Sequence, residues 1–197
     1  MPQLPPVTKA LMLICTAIFC VQSLLRGWLE YLFALHPIAS GAFYPWQVIT
    51  YAFLHGGMGH LFFNMLGLWM FGAEMEQIWG RKRYMQFLAA GALAGAVLQM
   101  LIGLVAPIGM TLGASGAIYA LLLGYAMMFP DRIIMPLFPP IPMKAKYAVI
   151  VFGVMALFLG MTGGGGIAHF AHLGGMLGGW LMLRFWRGQA PFSRRRF

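Results

Sequence analysis

Apolar stretches of about membrane-spanning length follow one another along this chain, and they constrain its fold more than any other feature. A helix needs roughly 20 residues to cross a bilayer core of about 30 Å. Hydrophobic residues make up 61% of the 197 residues and charged residues only 9%, whereas an ordinary soluble domain has roughly 25% charged residues. Strands that alternate apolar and polar residues, the pattern of a membrane barrel, are missing from the sequence. The sequence therefore predicts an all-α integral membrane protein.

Six membrane-spanning helices are predicted from these stretches. They are expected over residues 8–25, 58–79, 84–105, 115–129, 145–162 and 168–187. We interpret them as one polytopic membrane domain over 1–197, with a core at about 7–187 and a short basic tail at about 188–197. The first stretch is interpreted as a retained helix and not a signal peptide, because no small-residue cleavage site follows it.

The positive charge of the chain favours a membrane orientation over nucleic-acid binding. The net charge is +9 at pH 7. With six spans, all but one of the basic residues fall on the side of the two termini: Lys9, Arg81, Lys82, Arg83, Arg132, Lys144, Lys146, Arg184, Arg187, Arg194, Arg195 and Arg196. The exception, Arg26, lies at the outer end of the first helix. This asymmetry is the positive-inside pattern, so we expect both termini in the cytoplasm, and a compact six-span core fits a bacterial inner membrane best.

The connections between the spans differ in character. The first, residues 27–57, is long and aromatic, and we expect it to be partly buried in the outer interface of the bilayer. Five prolines within residues 130–144 predict a cytoplasmic connector that is not helical throughout. The glycines of 162–166 predict a flexible outer turn, and the segment around 161–168 is the predicted lid. Cys15 and Cys20 are interpreted as packing residues of the first span.

Polar side chains inside the spans identify a candidate site, because unpaired polar groups are costly in hydrocarbon. Counted from the cytoplasmic border, Ser115 and His172 lie roughly 22 Å up their helices and Asn64 roughly 25 Å up its own. The fourth span therefore begins below the outer face, which predicts a recessed cavity that water enters. His60 and Asn64 share one helix face by their spacing of four residues, as do Ser115 and Tyr119.

The chemistry of these residues is that of a serine hydrolase. Ser115 lies in a glycine-flanked helix start, where free N–H groups favour a developing anion. A serine nucleophile needs a base, and His172 is the nearest candidate by depth. Glycines four residues apart follow this histidine and let two helices approach closely. Because the four acidic residues lie in loops or near borders, the sequence predicts a Ser–His dyad. The Asn64 amide, the His60 ring and the Ser115 backbone N–H are candidate oxyanion donors.

Four motifs resemble those of the rhomboid family of intramembrane serine proteases, over about residues 7–187. The matching stretches are GASG at 113–116, HLFFN at 60–64, AHLGGMLGG at 171–179 and GAEME at 72–76. In that order they resemble the family's G-x-S-G nucleophile motif, its H-x-x-x-N motif, its sixth-helix histidine with G-x-x-x-G, and its G-x-x-x-E. Gly175 and Gly179 match the glycines of the sixth helix, and Glu76 matches the structural glutamate.

The resemblance implies a rhomboid bundle of six transmembrane helices, with Ser115 as nucleophile and His172 as general base. The residues that it implies support the site are Gly113, Tyr119, His60 and Asn64. In the family a tyrosine ring packs on the catalytic histidine, which is the role expected of Tyr119. The resemblance also implies substrates with a single transmembrane span, cut near the outer boundary of the bilayer, and no cofactor. One departure is the pair Trp46-Gln47, where the family usually has Trp-Arg.

Other functions are weighed against a protease. The main alternative is a catalytically silent rhomboid-like protein that binds other membrane proteins; inactive relatives typically lack the serine or the histidine, and this chain has both. A transporter or channel predicts charged residues at the midplane, and none of the acidic residues lies at that depth. A zinc site is not expected, because His55 and His60 lack the H-E-x-x-H spacing. His55 and His169 are interpreted as packing residues.

Overall fold

Helices form most of this chain, and the prediction of a mostly helical protein is confirmed. The structure is a computed structural model that describes residues 4–25, 27–137, 140–162 and 168–188. Its helices are α1 (Pro6–Leu25), α2 (Trp28–Phe33), α3 (Gln47–Thr50), α4 (Met58–Gly67), α5 (Ala73–Ile102), α6 (Ser115–Met128), α7 (Ala145–Met161) and α8 (His169–Trp186). A π-helical segment (Leu68–Gly72) joins α4 to α5, and 3-10 turns lie at Ile38–Ser40 and Tyr51–Phe53.

The sequence predicts a boundary between the second and third helices, at residues 79–84. In the structure this boundary is a backbone kink at Gly80. The segment Ala73–Ile102 consists of two helices that meet at Gly80, which has φ 74° and ψ 164°. A residue with a side chain is strained at this positive φ, whereas glycine is not. The chain therefore kinks sharply at Gly80, which divides α5 into residues 73–79 and 81–102.

The three helices α5, α6 and α8 form the centre of the fold through backbone contacts at glycines. A Cβ built on Gly175 of α8 would lie 2.7 Å from the carbonyl carbon of Gly116 on α6. One built on Gly174 would lie 2.5 Å from the carbonyl oxygen of Ala94 on α5. Side chains at these positions would push the helices apart. The glycines of α8 therefore lie directly against both neighbouring helices.

Within the described part of the chain, two helical stretches are long and apolar enough to be candidates for membrane spans. They are Pro6–Leu25 and the continuous stretch Met58–Ile102, while Ser115–Met128 and Ala145–Met161 are apolar but shorter. Helix α7 also presents large apolar side chains outward, among them Val154 and Phe158, which are 60% and 65% exposed. An apolar outer surface of this kind is what hydrocarbon chains of lipids contact.

The first long connection is an ordered structure held by polar side chains. Leu35 and Thr111 form an antiparallel bridge, with N···O distances of 2.9 and 2.8 Å. Gln47 is fully buried; its Oε1 accepts the backbone N–H of His36 at 3.2 Å, and its Nε2 donates to the carbonyl of Ala42 at 3.1 Å. The sequence resemblance implies an arginine at this position. The neutral amide of Gln47 instead anchors the loop with both of its polar ends.

The connection after α6 contains a short hairpin that the sequence did not predict. Strands β1 (Ile133–Ile134) and β2 (Met143–Lys144) pair antiparallel. The Arg132 guanidinium donates to the carboxylate of Glu74 at the start of α5, and it also lies 4.3 Å from the ring centroid of Phe129. The hairpin is therefore tied to the end of the bundle that holds the N-terminus of α5.

Glu76 connects α5 to the start of α1. Its Oε1 accepts the Val7 N–H at 2.9 Å, and its Oε2 accepts the Thr8 N–H at 2.7 Å and the Thr8 hydroxyl at 2.9 Å. The first N–H groups of a helix have no partner within the helix, and a carboxylate also suits the positive end of the helix dipole. The buried carboxylate therefore completes the N-terminus of α1.

Candidate active site

Ser115 is the first residue of α6, and the chain before it is tightly constrained. Gly113 has φ 120°, and its N–H donates to the carbonyl of Tyr51 at 2.9 Å. A Cβ built on Gly113 would lie 2.6 Å from Nε2 of His60. A side chain at this position would be strained and would also clash with the ring, so the turn that presents Ser115 requires glycine.

His172 lies on the first turn of α8 and faces this serine. Its Nε2 is 2.7 Å from Oγ of Ser115, the distance of a short hydrogen bond. The ring is buried and stacks on the ring of Tyr119, with centroids 4.2 Å apart. Among the described residues, Nδ1 of His172 has no hydrogen-bond partner. A serine held in this way can pass its proton to the imidazole as it attacks an electrophile.

His60 and Asn64 project from one face of α4 into the same space. The N–H of Gly56 donates to Nδ1 of His60 at 3.3 Å, so the ring proton belongs on Nε2, the nitrogen beside Gly113. Nδ2 of Asn64 donates to the carbonyl of His60 at 2.8 Å, and the amide has a second N–H to give. Each of these two side chains therefore has an N–H donor to offer, and both line the same cavity as Ser115.

A cavity of about 740 Å³ opens at the N-terminus of α6. Its lining residues are Gly56, Gly59, His60, Phe63, Asn64, Met110, Thr111, Leu112, Ser115, Ile118, Tyr119, Ala168 and His172. Pockets that hold small ligands have volumes of roughly 300–1,000 Å³. The space therefore accommodates a short peptide segment in contact with the serine, the histidine and both N–H donors.

The other residues singled out in the sequence lie outside this cavity. Gly175 and Gly179 lie in the contact of α8 with α6, and Glu76 lies at the N-terminus of α1. The rings of His55 and His169 lie edge-on to His60 and His172, with centroids 5.3 and 5.8 Å apart. Most of the predicted lid, residues 163–167, lies outside the described residues, as do Arg26 and the tail from residue 189 onward.

Two polar contacts near the site were not expected from the sequence. Oε1 of Gln99 accepts the Ala171 N–H at 3.2 Å, next to His172. The buried hydroxyl of Tyr51 donates to the carbonyl of Ala92 at 2.7 Å. The contact of Gln99 could have been suspected from the sequence, since a polar amide inside a predicted span needs a hydrogen-bond partner. The contact of Tyr51 could not, because it is one of several aromatic residues in the first connection.

Known proteins are similar to this chain over most of its length. The family model of the rhomboid domain matches residues 42–188. Rhomboid protease GlpG of Yersinia pestis is 27% identical over 193 residues, an alignment that covers 93% of this chain and 63% of that protein. GlpG of Yersinia pseudotuberculosis gives the same values. Rhomboid-like protease 5 of Toxoplasma gondii is 32% identical over 142 residues, which are 68% of this chain and 15% of that protein. The chain thus spans 63% of the length of the GlpG relatives.

Proposed function

Because this chain belongs to the rhomboid family, we propose that it is an intramembrane serine protease that works by a Ser–His dyad. The observation that carries the proposal is the distance of 2.7 Å between Oγ of Ser115 and Nε2 of His172. Both residues lie within the matched rhomboid domain and line one cavity. The substrates that we propose are membrane proteins with a single span, cut within the span or beside it.

The first half of the reaction forms an acyl-enzyme. The Ser115 oxygen attacks the carbonyl carbon of the scissile peptide bond, and its proton passes to Nε2 of His172. The π electrons of the carbonyl move onto its oxygen, which becomes an oxyanion. As this intermediate collapses, the C–N bond breaks and His172 gives its proton to the leaving nitrogen.

The second half releases the acyl group to water. A water molecule attacks the ester carbon, and its proton passes to Nε2 of His172. When the second tetrahedral intermediate collapses, the ester C–O bond breaks and the proton returns to Oγ of Ser115. The cavity around Ser115 supports this step, because it leaves space beside the serine for a water molecule.

The oxyanion needs donors that face the cavity. We assign this role to the second N–H of the Asn64 amide, the Nε2–H of His60 and the backbone N–H of Ser115. Two hydrogen bonds support the assignment: the bond from Gly56 leaves the proton on the inward nitrogen of His60, and the bond from Asn64 to the carbonyl of His60 fixes the amide. Preorganised donors of this kind are often the largest single contribution to catalysis.

The proposed setting is a single membrane domain of six spans. The spans are α1, the parts of Met58–Ile102 before and after Gly80, α6, α7 and α8. The sharp kink at Gly80 supports this count, because it divides the stretch Met58–Ile102 into two crossings. The basic residues Arg81, Lys82 and Arg83 directly follow that kink, where positive-inside charge is expected. We propose that both termini face the cytoplasm and that the host membrane is a bacterial inner membrane.

The test is cleavage of a model single-span protein by the reconstituted enzyme. The variants Ser115→Ala and His172→Ala are expected to lose cleavage, and a fluorophosphonate is expected to label Ser115 alone. Ser23→Ala is the matched control, because this exposed hydroxyl only bonds to the Phe19 carbonyl of its own helix. Full cleavage by either site variant would overturn the proposal. Substrate binding without cleavage or labelling in the wild type would instead favour the silent binding protein.

A further inference from the structure

The phenol of Tyr51 lies behind the site, where helices α5 and α6 meet. The residue is only 1% exposed, and its hydroxyl donates to the carbonyl of Ala92 on α5 at 2.7 Å. A Cβ built on Gly95 of α5 would lie 3.1 Å from this hydroxyl, and one built on Gly116 of α6 would lie 3.4 Å from it. The hydroxyl therefore fills the space that glycine leaves on both helices.

Helix α8 reaches the same point through its backbone. The Ala171 carbonyl oxygen would lie 2.7 Å from a Cβ on Gly95 and 3.3 Å from a Cβ on Gly116. Gly116 directly follows Ser115, and Ala171 directly precedes His172. The backbone beside each member of the Ser–His pair thus borders the small space that the Tyr51 hydroxyl occupies.

The main chain of Tyr51 contacts the site from a second direction. Its carbonyl accepts the N–H of Gly113, two residues before Ser115, at 2.9 Å. The bridge between Leu35 and Thr111 holds the same strand of chain to the first connection. One residue therefore fixes the turn before the serine with its carbonyl and packs behind the serine with its hydroxyl.

We infer that Tyr51 is a positioning residue that sets the distance and angle between Ser115 and His172. The inference rests on the proposed function, since positioning matters only if the pair reacts. The hydroxyl stops α6 and α8 from closing toward α5, and its bond to Ala92 holds the ring in place. A misplacement of about 1 Å can cost about a hundredfold in rate, so a smaller shift is expected to cost roughly tenfold.

The experiment compares Tyr51→Phe with Tyr84→Phe in the full chain, reconstituted in lipid. Tyr84 is the matched control: it is also fully buried, its hydroxyl lies 3.2 Å from the Thr8 hydroxyl, and neither residue lines the cavity. The measurements are the rate of Ser115 labelling by a fluorophosphonate, kcat and KM on a model single-span substrate, and the melting temperature of each variant.

The expected result for Tyr51→Phe is a roughly tenfold decrease in labelling rate and in kcat, with KM within about twofold of the wild type. Tyr84→Phe is expected to keep both rates even where its melting temperature falls. Wild-type rates in Tyr51→Phe, or equal rate losses in both variants that follow their melting temperatures, would overturn the inference. A wild type that neither cleaves nor reacts would instead overturn the proposed function, and the inference with it.

Discussion

The ring of Tyr119 lies flat against the ring of His172, with centroids 4.2 Å apart and planes at 9°. The two residues project from α6 and α8, the helices that carry Ser115 and His172. Nδ1 of His172 has no hydrogen-bond partner among the described residues, and the imidazole there contacts the stacked Tyr119 ring, the Ser115 hydroxyl and the edge-on ring of His169. Under the proposed mechanism, this stack would take the orienting role that a carboxylate has in a catalytic triad.

Removing this stack is expected to slow the reaction more than it weakens substrate binding. Tyr119→Ala should lower kcat by about 10- to 100-fold, because the imidazole then adopts several orientations. Tyr119→Phe keeps the ring and should stay within a few-fold of the wild type. Cleavage of a model substrate by each variant gives its kcat and KM. Equal activity of the two variants would show that the stack does not orient the base.

The glycines of α8 are expected to matter for stability. Gly175→Ala places a methyl group against the Gly116 backbone, and overpacking of this kind typically costs about 1–3 kcal/mol. Gly153→Ala is the control, because its Cβ would make an ordinary contact of 3.5 Å with the sulfur of Met176. Unfolding in mild detergent should show a lower melting temperature for Gly175→Ala alone. Equal melting temperatures would mean that α8 can shift freely along α6.

Restoring the usual arginine of the family is expected to harm this chain. Gln47→Arg loses the acceptor of the His36 N–H and places a charge where the side chain is fully buried. An unsatisfied buried donor costs about 1–3 kcal/mol, so the free energy of unfolding should fall by at least that amount. Gln77→Arg, at an exposed position, should change it little. A more stable Gln47→Arg variant would mean that the loop adapts to the cation.

Two acidic residues on α5 are expected to differ in their contribution to stability. Glu76→Gln weakens three hydrogen bonds to the buried start of α1, and bonds to a charged group contribute about 1.5–3 kcal/mol each. Glu74→Gln weakens an ion pair with Arg132 whose side chains are 34% and 45% exposed, where a pair contributes about 0–1 kcal/mol. Melting temperatures of both variants check the contrast. A loss as large in Glu74→Gln as in Glu76→Gln would contradict it.

The stability of the protein should fall as the pH decreases from about 6.5 toward 4. Burial, with a smaller contribution from His60, lowers the pKa of His55 in the first connection from 6.5 to about 4. Between these values the unfolded chain binds a proton at His55 that the folded chain does not, so acid favours unfolding. Melting temperatures from pH 7 to 4 should fall less steeply in His55→Phe than in the half-buried control His36→Phe. Equal slopes would assign the effect to other groups.

Much of the helical architecture was predictable because its signals are local. Apolar runs and the glycine-flanked serine predict helix limits within a few residues of where they lie. The hairpin of β1 and β2 was missed because strands of two residues exist only through their pairing. The role of Gln47 was missed for a similar reason: its partners lie up to 16 residues away in a loop without periodicity.

The sequence by itself predicted which residues carry the proposed chemistry and how deep each is expected to lie, because the rise of a helix is a local and constant quantity of about 1.5 Å per residue. Only the tertiary structure decided which way those residues face. The contact between Ser115 and His172 joins positions 57 residues apart, and it depends on the rotation of α6 and α8 about their axes. The close approach of Gly175 to the Gly116 backbone constrains that rotation, and no pattern within a single helix encodes contacts between helices.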